Sequence, residues 1–198
     1  MDAANAYAPL ISRIEQLLEQ KSRVIIAIDG MAASGKTTLA SALSSHFEDS
    51  AVVHMDDFTI PFEDRTPDYF DRLLSNADIA RFDREVLSPL LSGTDAVYRP
   101  YICHPVPGFL APVRVRADVH LVIVEGAYCL HDQLFDRYDL TVLSLIDPSI
   151  QQERILRRNG ANQLERFVST WIPMENRHIA ARNLRARCNE ILFTDQAP

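Results

Sequence analysis

Val24-Ile25-Ile26-Ala27-Ile28-Asp29-Gly30-Met31-Ala32-Ala33-Ser34-Gly35-Lys36-Thr37-Thr38 joins a run of β-branched and apolar residues to a loop bounded by two glycines. From Gly30 to Thr37 the loop has the pattern G-x-x-x-x-G-K-[ST], a strand feeding an anion-cradling turn that opens a helix. Gly30 and Gly35 let backbone N–H groups turn inward, and with Ala33, Ser34 and Thr38 they form the wall of a phosphate site. Lys36 supplies a point positive charge to the β- and γ-phosphates, and the Thr37 hydroxyl suits Mg²⁺. A helix beginning near Lys36 and carrying Leu39, Leu43 and Phe47 aims its positive end at the anion. A glycine turn between two core elements would need neither Lys36 nor two consecutive threonines. The stretch reads as a nucleoside-triphosphate site.

Working outward, an amphipathic helix precedes the strand, with Leu10, Ile11, Ile14, Leu17 and Leu18 at helical spacing. Buried strands are predicted at residues 24–28, 51–55, 119–124 and 140–146, with a shorter one at 190–193. Helical stretches separate them. That alternation predicts an α/β fold whose mainly parallel five-stranded sheet is covered on both faces.

Residues 61–116 break the rhythm. They carry Pro61, Pro67, Pro89, Pro100, Pro105, Pro107 and Pro112, a helix near 80–91, and short strand candidates at 96–98 and 113–115. So long an insertion between core strands reads as the region that binds a second substrate.

The 198 residues, 47% hydrophobic, fit one domain with a full core. A net charge of −7 argues against nucleic acid or an anionic membrane as partner. Cys103, Cys129 and Cys188 are odd in number and widely spaced, which suits reduced thiols and a cytoplasmic setting. Neither a secretory leader nor a membrane-length apolar run is visible. Composition leaves self-association into a homo-oligomer open.

Ligands of open α/β sheets bind beyond the carboxyl ends of the strands. Asp29, Asp56-Asp57, Glu125 and Asp147 each follow a predicted strand and would gather on that edge. Asp147 precedes Pro148 and a helix, so it reads as an N-cap, and Asp29 reads as structural. Asp56 and Glu125 read as functional, one to take a proton and the other to hold Mg²⁺. Alternation along an extended strand end favours Asp56 over Asp57 as the base and leaves Asp57 to the substrate side.

After the fourth strand, Arg154 and Arg158 share one helical face, Arg157 lies one turn from Arg154, and Gly160 ends the helix. Arginines over the phosphates would neutralise charge during transfer, so residues 148–165 read as a lid carrying Arg154 and Arg158. Arg177, Arg182, Arg185 and Arg187 read as a solvated face. Trp171, beside Ile172-Pro173, reads first as core packing at a helix kink and second as a ring flanking the substrate.

The Gly30 to Thr38 loop, His54-Met55-Asp56-Asp57-Phe58, Val124-Glu125-Gly126 and the Arg154 to Arg158 helix together resemble the uridine kinase branch of P-loop small-molecule kinases. That branch also holds phosphoribulokinase-like and pantothenate kinase-like enzymes. The resemblance implies a three-layer α/β/α sandwich of the P-loop NTPase type, with ATP and Mg²⁺. It also implies that Asp56 is the base, Glu125 assists the metal, Asp78 binds ribose hydroxyls, and Tyr98, Tyr101 and His104 contact the nucleobase. Tyr98 to His104 is one residue longer than the usual spacing, and Arg99-Pro100 stands where that family has an acidic-aromatic pair. The expected reaction is phosphorylation of a small-molecule hydroxyl, foremost the 5′-hydroxyl of a pyrimidine nucleoside. Pantothenate, a sugar phosphate, another vitamin-like alcohol or a nucleoside monophosphate would use the same mechanism. A nucleotide-binding switch is the reading from another class; the chain has neither a guanine-reading N-K-x-D motif nor a glutamine placed to orient water.

Overall fold

The computed structural model describes residues 7–65 and 76–194. Pro67, part of the proline-rich insertion, and the first six residues, on which the expectation about a leader rests, lie outside them. In chain order the elements are α1 (Ala8–Gln20), β1 (Val24–Gly30), α2 (Lys36–His46) and β2 (Ser50–His54). The insertion holds α3 (Ile79–Phe82), a π-helical turn Asp83–Leu87, α4 (Ser88–Leu91), β3 (Ala96–Tyr98), β4 (Tyr101–Ile102), β5 (Gly108–Phe109) and β6 (Val113–Val115). Then come β7 (Leu121–Glu125), α5 (Asp132–Phe135), β8 (Leu140–Leu145), α6 (Pro148–Asn159), α7 (Ala161–Arg166), a π-helical turn Phe167–Trp171, α8 (Ile172–Ala181), α9 (Leu184–Arg187) and β9 (Glu190–Phe193).

Among the described residues, five strands form one parallel sheet in the order β2-β7-β1-β8-β9. Its central strands are buried on both faces, which is why they read as continuous apolar runs. Alternation along the strands divides the core in two. Val24, Ile26 and Ile28 pack with Leu10, Ile11 and Ile14 of α1 and with Leu39 and Leu43 of α2. Ile25 and Ala27 face the other way, into Phe58, Phe82, Leu87, Leu90, Leu134, Ile179 and Leu184. The result is the expected three-layer α/β/α arrangement.

The insertion is built from hairpins. β3 pairs antiparallel with β6, and β4 pairs with β5, a pair too short to show in the sequence pattern. Arg81 of α3 fastens this unit to the sheet edge. Its guanidinium, 7% exposed, donates to the carbonyls of Asp57 and Arg99 and lies 4.7 Å over the Phe58 ring.

Two glycines are demanded by close packing at the carboxyl edge. A Cβ on Gly30 would stand 1.9 Å from the Ser144 carbonyl oxygen of β8, and one on Gly126 would stand 2.7 Å from Met55 Cβ. Gly30→Ala is therefore expected to cost more than about 3 kcal/mol, because rigid backbone cannot yield. That corresponds to a drop of roughly 10 °C in melting temperature. Gly93 has φ +77° with nothing within 4 Å of its missing Cβ, so Gly93→Ala should cost only about 1 kcal/mol of left-handed strain. Equal losses in thermal melting would show that the β1–β8 approach is not limiting.

Candidate active site

The phosphate loop is the link between β1 and α2, and side chains from three other elements brace it. Ser144 Oγ of β8 donates to the Ser34 carbonyl at 2.9 Å, Arg154 of α6 donates to the Ala33 carbonyl at 3.3 Å, and Glu175 of α8 accepts from the Ala32 amide at 2.7 Å. Ala33 (φ 58°) and Gly35 (φ 85°) are left-handed, the geometry that turns successive amides inward to make an anion nest. The first-turn amides of α2 have no acceptor within the helix and point the same way. Lys36 Nζ donates to the Gly30 and Met31 carbonyls at 3.0 and 2.9 Å, so the ammonium is folded over the loop it serves.

The loop opens on a cleft of about 1110 Å³. Ala33, Gly35, Lys36, Thr37, Thr38, Asp56, Asp57, Glu125, Arg154 and Arg158 all line it, as do Tyr101 and His104 at its far end. Gly30, Ser34, Asp78 and Tyr98 do not. Gly30 serves the strand packing just described, and Ser34 is fully buried beneath the loop. Asp78 caps α3: its Oδ1 accepts from the Arg81 amide at 2.9 Å. Tyr98 is 3% exposed, packs on Phe58 and donates to Asp57 Oδ2 at 3.3 Å. Tyr101, also 3% exposed, accepts from the Phe62 amide at 3.2 Å.

Asp56 and Asp57 lie on a 3₁₀ turn, Met55–Phe58, rather than on an extended strand end. Strand alternation therefore does not separate them; their partners do. Asp57 is tied to the insertion through Tyr98 and, by its carbonyl, through Arg81. Asp56 is open to the cleft. The surrounding protein desolvates its carboxyl and pushes its pKa up, with Lys36 pulling the other way, Glu125 adding to the rise and Arg158 opposing it. Desolvation raises Asp57 as well, against the pull of His54 and Tyr98.

Thr37 Oγ1 donates to Glu125 Oε1 at 3.2 Å, and His54 Nδ1 stands 2.6 Å from the same oxygen. The Glu125 hydrogen bond raises the His54 pKa, with burial opposing it. A threonine hydroxyl beside a carboxylate is a hard oxygen pair that suits Mg²⁺, an ion that takes few protein ligands and completes its shell with phosphate and water. Among the described residues, no group of three or more His, Cys, Asp or Glu side chains could hold a metal by itself.

No protein-family model matches the chain. It is 28% identical to a uridine kinase of Geobacillus kaustophilus, with 80% of this chain and 81% of the relative covered. It is 26% identical to a nicotinamide riboside kinase of Schizosaccharomyces pombe, covering 74% and 71%. The solved structure of a possible uridine kinase from Bacillus stearothermophilus superposes with a TM-score of 0.64 at 20% identity, covering 93% of this chain and 99% of that one. The chain is a P-loop small-molecule kinase, similar to uridine kinases.

Several residues of the kinase's cleft carried no sequence signal as site residues. Phe62, Arg65, Asn76 and Tyr128 line it, and so do Gln163, Arg166, Phe167 and Trp171 from the stretch 161–171. Trp171 is half-buried in that wall rather than packed in the core, and it ends a π-helical turn directly before Ile172-Pro173. Arg154 and Arg158 come from α6 as expected, with Arg157 beside them. Arg154 is anchored to the Ala33 and Thr194 carbonyls, and Arg158 is the one whose charge is felt at Asp56. Arg182 is not on a solvated face: it is 7% exposed and faces Asp132 at 3.5 Å. Asp147 caps α6, as its neighbours in sequence implied.

The rise at Asp56 has a stability consequence. Its folded-state pKa lies above the unfolded value, so the fold binds that proton more tightly than the unfolded chain does. Stability is then greatest below the unfolded value and is lost as pH rises through the folded one. Asp56→Asn should therefore raise the melting temperature at neutral pH, and the gain should vanish below the carboxylate range. A melting temperature lowered at neutral pH would show that the carboxylate is satisfied where it stands.

Proposed function

We propose that the chain transfers the γ-phosphoryl group of ATP, with Mg²⁺, to a primary hydroxyl of a ribonucleoside-like small molecule, a pyrimidine nucleoside being the first acceptor to try. The observation that carries this reading is the convergence on one cleft of Lys36, the Thr37–Glu125 pair and an open Asp56, with Phe62, Tyr101 and Trp171 lining the same cleft. Lys36, the loop amides and Arg158 would hold the triphosphate and meet charge developing on the γ-phosphoryl oxygens. Thr37 and Glu125 would hold Mg²⁺, which supplies charge neutralisation between the phosphates.

Asp56 takes the proton of the acceptor hydroxyl as its oxygen bonds to the γ-phosphorus and the bond to the β-γ bridging oxygen breaks, releasing ADP. A raised pKa brings this base nearer to the operating pH, where proton transfer is most effective. Asp57 sets the turn that aims it. Residues 61–116 form the acceptor side, with aromatic rings for a flat base. Residues 148–165 form the donor-side lid. The same ribose 5′-hydroxyl is present in nicotinamide riboside, and the fission yeast relative makes that nucleoside the second acceptor to try.

ATP consumption measured with and without a panel of uridine, cytidine, nicotinamide riboside, pantothenate and sugar phosphates should show strong dependence on a nucleoside. Consumption that no alcohol changes would favour a nucleotide switch. With the best acceptor, Asp56→Asn should cut kcat by about 10²–10⁴-fold with little change in ATP affinity, whereas Asp57→Asn should be milder. The reverse ranking would move the base to Asp57. Lys36→Ala should abolish transfer while far-ultraviolet circular dichroism stays unchanged; activity within a few-fold of wild type would remove the loop from the mechanism.

A further inference from the structure

Ala32 sits in the middle of the phosphate loop, and side chains from outside the loop take both polar groups of its backbone. Its N–H donates to Glu175 Oε2 at 2.7 Å, and its carbonyl accepts from Gln151 Nε2 at 3.0 Å. Both side chains are buried, Gln151 on α6 and Glu175 on α8. These helices flank, in sequence, the stretch 161–171 that forms the wall facing the loop, so both ends of that wall are pinned to the same loop residue.

An amide would hold the Ala32 N–H as well as a carboxylate does. Glu175 is instead an acidic group lining the cleft against a loop built for a polyanion. The groups that face it are Lys36 from α2, Asp29 at the end of β1, Asp56 from the turn after β2, and the Ala32 amide. Burial dominates and lifts its pKa to about 7; Lys36 and the Ala32 amide pull it down, and Asp29 and Asp56 push it further up. A triphosphate in the loop adds negative charge on the same side as Asp29 and Asp56, and so favours the neutral acid. The acid keeps its carbonyl oxygen as acceptor for the Ala32 N–H, so the brace survives protonation.

We propose that Glu175 is a positioning residue for the phosphate loop and that, through it, binding of the nucleotide donor takes up a proton. This rests on the reading of the loop as the donor site. Donor affinity is then highest where Glu175 is neutral and weakens as pH rises through its titration.

The test is calorimetry on the full chain with a non-hydrolysable ATP analogue and Mg²⁺, in two buffers of different protonation enthalpy. Between about pH 6 and pH 8 the wild type should lose roughly 3–10-fold more affinity than Glu175→Gln does, and should take up correspondingly more protons. Titration of the analogue's own γ-phosphate is common to both proteins and cancels in the comparison. Glu175→Gln keeps the brace and removes the charge, so at the high end of the range it should bind at least as tightly as wild type. Glu175→Ala loses the brace and should bind more weakly throughout. Identical proton uptake and pH slope in wild type and Glu175→Gln would overturn the proton linkage. Wild-type affinity in Glu175→Ala would overturn the positioning role. If that variant does not fold, Glu175→Gln alone still decides the linkage. Failure of the wild type to bind the analogue at all would remove the donor site, and this role with it.

Discussion

The carboxylate of Asp29 is the contact on which the rest of the site depends. It is 1% exposed, accepts from the amides of Gly30, Tyr128 and Leu130, and lies 2.9 Å from His178 Nε2. One side chain thus ties the root of the phosphate loop, the segment after β7 and helix α8 into a single body. Burial alone would lift its pKa, but His178 and the Leu130 amide hold it below the usual carboxylate value. Such a charge is tolerable inside a protein because every element it touches contributes a partner. If it were lost, three backbone donors would be stranded at the spot where the loop leaves the sheet.

Around this anchor the cleft is an unequal electrostatic contest. Among the described residues, Asp56, Asp57, Glu125 and Glu175 line it against Lys36 and a set of arginines led by Arg158. Three of these carboxyls have their pKa pushed up, chiefly by desolvation from the surrounding protein. Desolvating these carboxyls costs stability, and Lys36 offsets part of that cost at Asp56 and Glu175. Strain of this kind is what a transfer site needs: groups held ready for charge that arrives with the substrates. The two glycines packed against β8 and Met55 serve the same end, since they bring the loop, Asp56 and the Glu125–Thr37 pair within reach of one another.

The insertion and the wall made by residues 161–171 give the cleft its size. Arg81 carries the connection on one side, binding the Asp57 carbonyl and so coupling the insertion to the turn that aims Asp56. The second connection runs through Ala32, gripped by Gln151 and Glu175. The insertion and the 161–171 wall are therefore each linked to the phosphate loop or the Asp56 turn by one buried polar side chain or a pair of them.

The sequence by itself determined the strand–loop–helix junction, the parallel sheet and the identities of Lys36, Thr37, Asp56 and Glu125 as cleft residues. Each follows from local rules: β-branched runs are buried strands, loop glycines answer a phosphate, and carboxylates at strand ends meet on one edge. Tertiary structure alone decided the rest. That Asp78 caps its own helix depends on the path of α3, and the partners of Asp57 depend on where Tyr98 and Arg81 land. His54 at Glu125, Glu175 at Ala32 and Trp171 in the cleft wall are contacts between residues far apart in the chain, and Glu175 and Trp171 each sit in an otherwise ordinary helical stretch. Periodicity reports which face of a helix is apolar; it carries no information on which strand end that helix crosses, and the chemistry of this site is fixed at those crossings.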